Sequence, residues 1–296
     1  MLCRGQEFFP NTESASNLPK GALSVKLANE FYKDETALRF WQGYSVAYGI
    51  TSKIMISQTL SFSNHHGYQL PNNFIETDNL GNYYTLGNQS GKAYPYTFEN
   101  IEVELKYRFL NIDGEKKHFR MAGYLQLAGG NEPHTTSEPD LLGDNSGLGT
   151  GVIATWLINK FAVSGTIGVI IPHEYIWSDS NITINYGNAV TYSLSMGYLL
   201  LPRKYTDYKQ INVNLYMEFI GETYKASAVS QNGRMVNASD APSFSNGSYL
   251  EARPGIQFIL LSNTRIDFSV GALVAGHSWE RSYPLYYFNL LHIFYL

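Results

Sequence analysis

The residues able to do chemistry in this chain are few and scattered. His65-His66 is an adjacent pair in a long polar stretch. Neighbouring imidazoles suggest a metal, but no carboxylate or cysteine stands at ligand spacing from them, so they read as solvated loop residues. Glu138-Pro139-Asp140-Leu141-Leu142-Gly143-Asp144-Asn145-Ser146-Gly147 offers several oxygen donors. It lacks the alternating Asp/Asn spacing of a calcium loop and reads as a turn-rich connection. A hydrolase needs a nucleophile and a base within hydrogen-bond reach. His277 and Ser278 are adjacent, and neighbours in an extended strand point to opposite faces, which makes them a poor dyad. His134, Asp140 and Asp144 could be assembled into an Asp–His set, but nothing in their spacing selects them. The expectation is therefore no catalytic residue, no cofactor and no metal site: the chain does not read as an enzyme. Cys3 is the single cysteine, so no disulfide forms within the chain. Residues 1–5 suit a signal-peptide remnant with Gly5 before the cleavage point; a lipidated Cys3 is the other reading.

What surrounds these residues is more regular. Charged residues make up only 16% of the 296 positions, while Tyr is counted at 23, Phe at 16 and Gly at 26. A soluble domain carries about 25% charged residues. The deficit is not concentrated in one apolar run, since mean hydropathy is slightly negative and no stretch approaches the ~18 apolar residues of a spanning helix. The net charge of −4 gives no basic surface for nucleic acid.

Alternation of period two runs from end to end. In Ile101-Glu102-Val103-Glu104-Leu105-Lys106-Tyr107-Arg108-Phe109 every odd position is apolar and every even one charged. A strand sends those two sets to opposite faces. In Phe161–Val169, Ile211–Phe219 and Arg265–Gly271 large apolar residues likewise alternate mainly with small or polar ones. About twelve such segments follow one another, near 21–31, 39–50, 52–63, 99–110, 116–129, 148–158, 160–171, 186–200, 208–222, 247–261, 263–275 and 284–296. Each holds about ten residues or more, the length of a tilted membrane strand, whereas soluble strands average about five or six. The links between them alternate short and long, as in outer-membrane barrels with short periplasmic turns and longer external loops. The expected fold is all-β: an antiparallel up-and-down transmembrane barrel of about twelve strands over 21–296, with both termini periplasmic. Residues 6–20 are expected to form an N-terminal periplasmic segment, too short to suggest a long plug. The final strand, ending at Phe294 and Leu296, would pair with the first and close the sheet, leaving no edge for lipid to face. Arg253-Pro254-Gly255 reads as a bend, because proline removes one ladder donor.

A charged side chain on the lipid face costs about 2–4 kcal/mol near the midplane. Placing the apolar set outward therefore sends Lys26, Glu30, Arg39, Glu102, Glu104, Lys106, Arg108, Arg120, Glu218, Glu251, Arg253, Arg265 and Asp267 into the lumen. Both signs occur in similar numbers. They suit either a structural network pairing across strands or a polar conduit that selects a solute. Tyr44, Tyr48, Tyr107, Phe109, Tyr198 and Phe219 fall on the apolar face and suit an aromatic girdle.

Three stretches carry a family resemblance: Leu18-Pro19-Lys20-Gly21-Ala22-Leu23-Ser24-Val25, Gly43–Thr51, and Arg253–Gln257 followed by Asn263–Gly271. Together they resemble the outer-membrane β-barrel transporter-like family named after a phenol-degradation (MetA) pathway, in its Bacteroidetes-like form. The resemblance covers about 18–296, rests on strand and turn patterns, and carries no binding residues. It implies a barrel admitting hydrophobic or aromatic small molecules.

Two functions are left open. One is a passive channel or transporter for a small solute in the Gram-negative outer membrane, in contact with lipid and lipopolysaccharide. The other is a non-transporting accessory or scaffold subunit of an outer-membrane protein complex.

Overall fold

The structure, a computed structural model, describes residues 9–34, 37–65, 70, 74–75, 94–130, 133–204, 207, 209–236 and 241–296. Cys3 with the signal-remnant residues 1–5, and His66, lie outside the described residues.

Sixteen strands are formed among the described residues: β1 (Ala22–Lys33), β2 (Leu38–Gly49), β3 (Ile54–Ser63), β4 (Thr97–Asp113), β5 (Lys117–Gly130), β6 (Gly147–Ile158), β7 (Phe161–Pro172), β8 (Tyr175–Trp177), β9 (Ile182–Asn185), β10 (Ala189–Leu201), β11 (Asn212–Tyr224), β12 (Ala228–Gln231), β13 (Arg234–Met235), β14 (Gly247–Leu260), β15 (Thr264–Gly276) and β16 (Leu285–Tyr295). Twelve of them close an antiparallel barrel in the order β1-β16-β15-β14-β11-β10-β7-β6-β5-β4-β3-β2. Each expected segment has its strand, displaced by a few residues at the ends. β1 and β16 zip from Ala22↔Tyr295 to Phe31↔Tyr286, so the sheet has no free edge and its backbone needs no water. Both ends of the barrel chain therefore lie at the short-turn end.

The outer face is apolar. Val46, Ile56, Leu105, Val152, Ile167, Leu194, Leu215 and Val270 are exposed there. At the long-loop end Tyr286, Phe31, Phe40, Tyr96, Phe62 and Phe98 form a continuous run of rings with centroids 5.5–6.3 Å apart. At the short-turn end Tyr48, Tyr107, Phe109 and Tyr198 are exposed. Two aromatic belts enclosing an apolar band are what a bilayer requires of a barrel, and this is an outer-membrane barrel. Tyr44 is also exposed, mid-strand on the outer face, and Phe219 is half-buried.

Pro254 pairs with Met217 of β11, but the ladder to β15 lapses at Arg253–Pro254, between Ala252↔Ala272 and Gly255↔Ser269. The proline thus sits where its missing N–H costs no bond. Beside it the Tyr216 ring lies over Gly255, in space a side chain would occupy.

The remaining strands make a second, smaller sheet in the order β13-β12-β9-β8. It stands on the long connections after β7 and β11. It has its own apolar core of Leu70, Phe74, Tyr175, Ile182, Ile184, Val229, Val236, Ala241 and Phe244. From the sequence alone these stretches are expected to be loops.

Candidate functional site in the barrel lumen

The pleat sets the site. The even positions of β1, β4, β5 and β11 and the odd positions of β2, β14, β15 and β16 turn inward. All thirteen charged residues expected in the lumen sit on these positions, buried or half-buried. What they meet there is mostly the protein's own chain.

Residues 9–20, expected as a periplasmic segment, run against the inner wall in the short-turn half of the barrel. The chain turns into the barrel at Gly21, whose φ of +78° needs no Cβ. Gly21 N–H donates to Gly49 O at 2.8 Å, and a side chain at Gly49 would collide with the carbonyls of Leu18 and Pro19. Leu18 packs on Ala22, Met55 and Ile293. Beyond it the segment is held by polar wall groups. Arg120 donates to Ser16 Oγ at 2.9 Å, and Ala15 N–H to Thr155 Oγ1 at 2.8 Å. Lys106, wholly buried, binds Glu13 and donates to Ser14 O at 3.1 Å. Glu218, also wholly buried, accepts from Asn11 N–H, Asn11 Nδ2, Thr12 N–H and Thr12 Oγ1 at 3.2, 2.6, 2.9 and 2.8 Å. Lys26 Nζ donates to Pro10 O at 2.7 Å. Phe9 then turns back onto Ala162 and Leu199, near the short-turn end. The segment is a bent strap inside the wall.

In the other half, two long connections, 133–146 after β5 and 277–284 after β15, fold in against the wall and each other. Arg281 is the hub. Its Nε reaches Glu30 Oε1 at 3.0 Å on the wall, and its guanidinium reaches Asp140 Oδ2 at 3.0 Å and Glu138 Oε1 at 3.8 Å. Burial works against the Arg281 charge, but Glu30 and Asp140 outweigh it and hold the group well above its ordinary pKa. Glu138 accepts from Ser278 Oγ at 2.9 Å and Trp279 N–H at 2.8 Å. Burial, then Asp144, Glu138 and Asp140, push Glu280 well above the usual carboxylate range. Tyr283 of this connection and Tyr287 of β16 donate to Glu251 at 3.2 and 3.1 Å, and Arg253 pairs with Glu251 and lies 4.1 Å from the Tyr287 ring centre.

The other expected lumen charges have local partners. Arg39 pairs with Asp34 at 3.2 Å and donates to Asn64 O. Arg108 donates to Ser52 O at 2.7 Å, and Glu104 accepts from Gln126 at 3.3 Å. Glu102, Arg265 and Asp267 are buried in the wall.

The catalytic candidates are separated. Ser278 Oγ is spent on Glu138, and the His277 ring packs against Trp279 at 4.3 Å. His134 does meet Asp144, while Asp140 goes to Arg281. His65 lies 5.4 Å from the Tyr32 ring. Sequence reasoning missed Asn11, Thr12 and Glu13 of the strap, and Glu138, Glu280 and Arg281 of the closure. A short polar run has no periodicity to mark it. The loop partners lie about 140 positions apart, with no local spacing to join them.

No family model matches this chain, and no curated protein does. Among solved structures it is similar to an outer membrane channel from Pseudomonas putida F1, at 11% identity and a TM-score of 0.59, over 97% of this chain and 100% of that one. It is also similar to the NanC porin, at 7% identity and a TM-score of 0.46, over 93% of this chain and 99% of that one. At 8% identity and a TM-score of 0.43 the KdgM porin matches over 91% of this chain and 98% of that one. The first of these likenesses supports the fold alone: a closed, twelve-stranded barrel of the outer-membrane type.

Proposed function

We propose that the protein is a passive outer-membrane channel or transporter for a small solute, held closed by its own N-terminal strap on one side and by the Arg281 closure on the other. One observation carries this reading. The wall keeps buried polar oxygens that the strap does not satisfy: Glu102 Oε1, Asn212 Oδ1, Asn214 Oδ1 and Asp267 Oδ1 have no hydrogen-bond partner among the described residues. A buried polar group without a partner is costly, so these oxygens call for water or a polar solute group. The strap is gripped by side-chain hydrogen bonds that water can replace, a manner of plugging that allows release. The short-turn end, with both barrel termini, faces the periplasm in this proposal, and the long loops face outward. Membership of the phenol-degradation family and a hydrophobic or aromatic solute are the finer forms of the same proposal. They are supported by the three stretches named above and by the barrel fold.

Planar-bilayer recording and liposome swelling test it. The intact chain is expected to conduct little. A variant lacking residues 9–17 and carrying Arg281→Ala is expected to conduct and to admit small solutes. If that variant inserts correctly and neither conducts nor admits solute, the transport reading is wrong. The second reading, a scaffold barrel of an outer-membrane complex, is favoured by the occupation of both halves of the lumen. It predicts co-purification of the intact chain with larger partners and no conductance in any variant.

A further inference from the structure

The closure contains a group of side chains that the proposed function does not use. His134, Asp144 and Glu280 bring one ligand atom each to within 4.8 Å of the others, and their side chains are 2%, 8% and 12% exposed. His134 and Asp144 belong to one connection and Glu280 to the other, so the group joins the two loops that close the barrel.

The arrangement holds more acceptors than one histidine can serve. The His134 ring has Asp144 Oδ2 on Nδ1. Around Nε2 stand Glu280 Oε1 at 2.7 Å, Thr136 Oγ1 at 2.8 Å and the Glu138 carbonyl oxygen. A ring nitrogen has one proton at most to offer, and the Thr136 hydroxyl can supply one more. The convergence of a carboxylate, a hydroxyl and a carbonyl oxygen on one ring nitrogen is a donor set that a cation could occupy. The charge balance points the same way. Glu30, Glu138, Asp140, Asp144, Glu222 and Glu280 share this end of the lumen. Among the described residues the cations near them are Arg281 and His134, with Arg253 and Arg39 close by but paired to Glu251 and Asp34. Independently of the His134 group, Glu222 Oε1 is buried and has no hydrogen-bond partner among the described residues. It lies within electrostatic range of Glu138 and Asp140. Carboxylates crowded out of water either hold protons or gather positive charge, and a divalent cation would serve several of them at once.

The backbones on both sides are fixed in advance. Tyr186 Oη donates to His134 O at 2.8 Å and accepts from His134 N–H at 2.9 Å. Tyr32 Oη donates to Glu280 O at 2.6 Å from β1. Such outer partners orient metal ligands and hold a site's shape.

We propose that His134, Asp144 and Glu280 form a binding site for a divalent transition cation, Zn2+ in the first instance, with Thr136 Oγ1 and the Glu138 carbonyl as further oxygen donors. One imidazole nitrogen with carboxylate oxygens suits Zn2+ or Mn2+ better than Mg2+ or Ca2+, which take oxygen alone. No thiolate is present to favour Cu(I). The cation takes the ring nitrogen's lone pair and releases any proton there to solvent. It bridges the two connections, making the external end of the barrel metal-tied. This departs from the expectation of no metal site, and it holds whether or not the barrel transports anything.

The test uses the full chain, folded in detergent, stripped with EDTA and dialysed. Zn2+, Mn2+ and Ca2+ are titrated separately by calorimetry, and bound metal is counted by elemental analysis. Barrel integrity is checked by the shift between boiled and unboiled samples on gels. One equivalent of Zn2+ is expected. Glu280→Gln and Asp144→Asn, which preserve shape, are expected to weaken it at least tenfold, and His134→Ala to abolish it. His173→Ala, at an exposed histidine outside the group, should leave binding unchanged. Zn2+ should also raise the Tm of the intact chain and not that of Glu280→Gln. The proposal is overturned if the intact chain binds no stoichiometric Zn2+ or Mn2+. It is equally overturned if Glu280→Gln and Asp144→Asn bind as the intact chain does. Should His134→Ala fail to fold, the two isosteric variants decide the matter.

Discussion

Glu218 is the point at which the strap can be released with least disturbance to the barrel. Four hydrogen bonds from Asn11 and Thr12 end on its carboxylate. Bonds to a charged group contribute about 1.5–3 kcal/mol each, a gross sum of roughly 6–12 kcal/mol. Two effects reduce it. The freed donors regain water, and alanine removes a buried charge whose desolvation costs on the order of several kcal/mol. A net loss of about 3 kcal/mol is left for Glu218→Ala, within the range for truncating one partner of a buried charged contact. At 1.4 kcal/mol per factor of ten, this is about a hundredfold shift from docked to released strap. Ser195 reports it, since the residue is buried with its Oγ 2.7 Å from Thr12 Oγ1, and release of the strap should expose it. With Cys3 replaced by serine, Ser195→Cys should react slowly with a small maleimide, and about a hundredfold faster once Glu218→Ala is added. Equal rates in the two backgrounds, with both barrels intact on gels, would refute the reasoning that Glu218 anchors the strap.

The other predictions follow from the same geometry. Gly49→Val should speed labelling of Ser195→Cys without altering the barrel, because its side chain meets the Leu18 and Pro19 carbonyls; unchanged labelling would count against a tight turn there. Arg281→Met leaves Glu30, Glu138 and Asp140 without their shared cation, so limited proteolysis should cut within 277–284 faster than in the intact chain. Leu194, exposed at mid-strand on the outer face, should tolerate arginine poorly. Leu194→Arg is expected to cost about 2–4 kcal/mol in folding into bilayers measured by urea titration, and a loss under 1 kcal/mol would contradict a lipid-facing position at that depth.

The barrel was legible because period two is a strong and repeated signal. The nine residues from Ile101 to Phe109 suffice to assign both faces of β4, and the same parity placed Glu218 and Asp267 inside. What the sequence concealed has a common physical cause: it depends on contacts far apart in the chain and on segments without periodicity. Asn11, Thr12 and Glu13 look like any polar leader, and only the closed barrel gives them Glu218 and Lys106 to bind. β8, β9, β12 and β13 are two to four residues long, below the length at which alternation can be recognised. Their core joins Phe74, Ile184 and the pair Val229 and Phe244 from three separate connections. His134 with Asp140 and Asp144 was visible as a grouping, but its selection required Glu280, which spacing could not supply.

The strap is continuous with β1 through Gly21, and this makes it an intramolecular ligand of its own lumen. A tether of a few residues keeps it at an effective concentration in the millimolar range or above. Any solute that occupies Glu218 or Lys106 must compete against that standing local concentration rather than against an empty wall. In the proposed channel, passage would respond to solute in a threshold-like way, with little flow until the outside concentration rivals that of the tethered competitor.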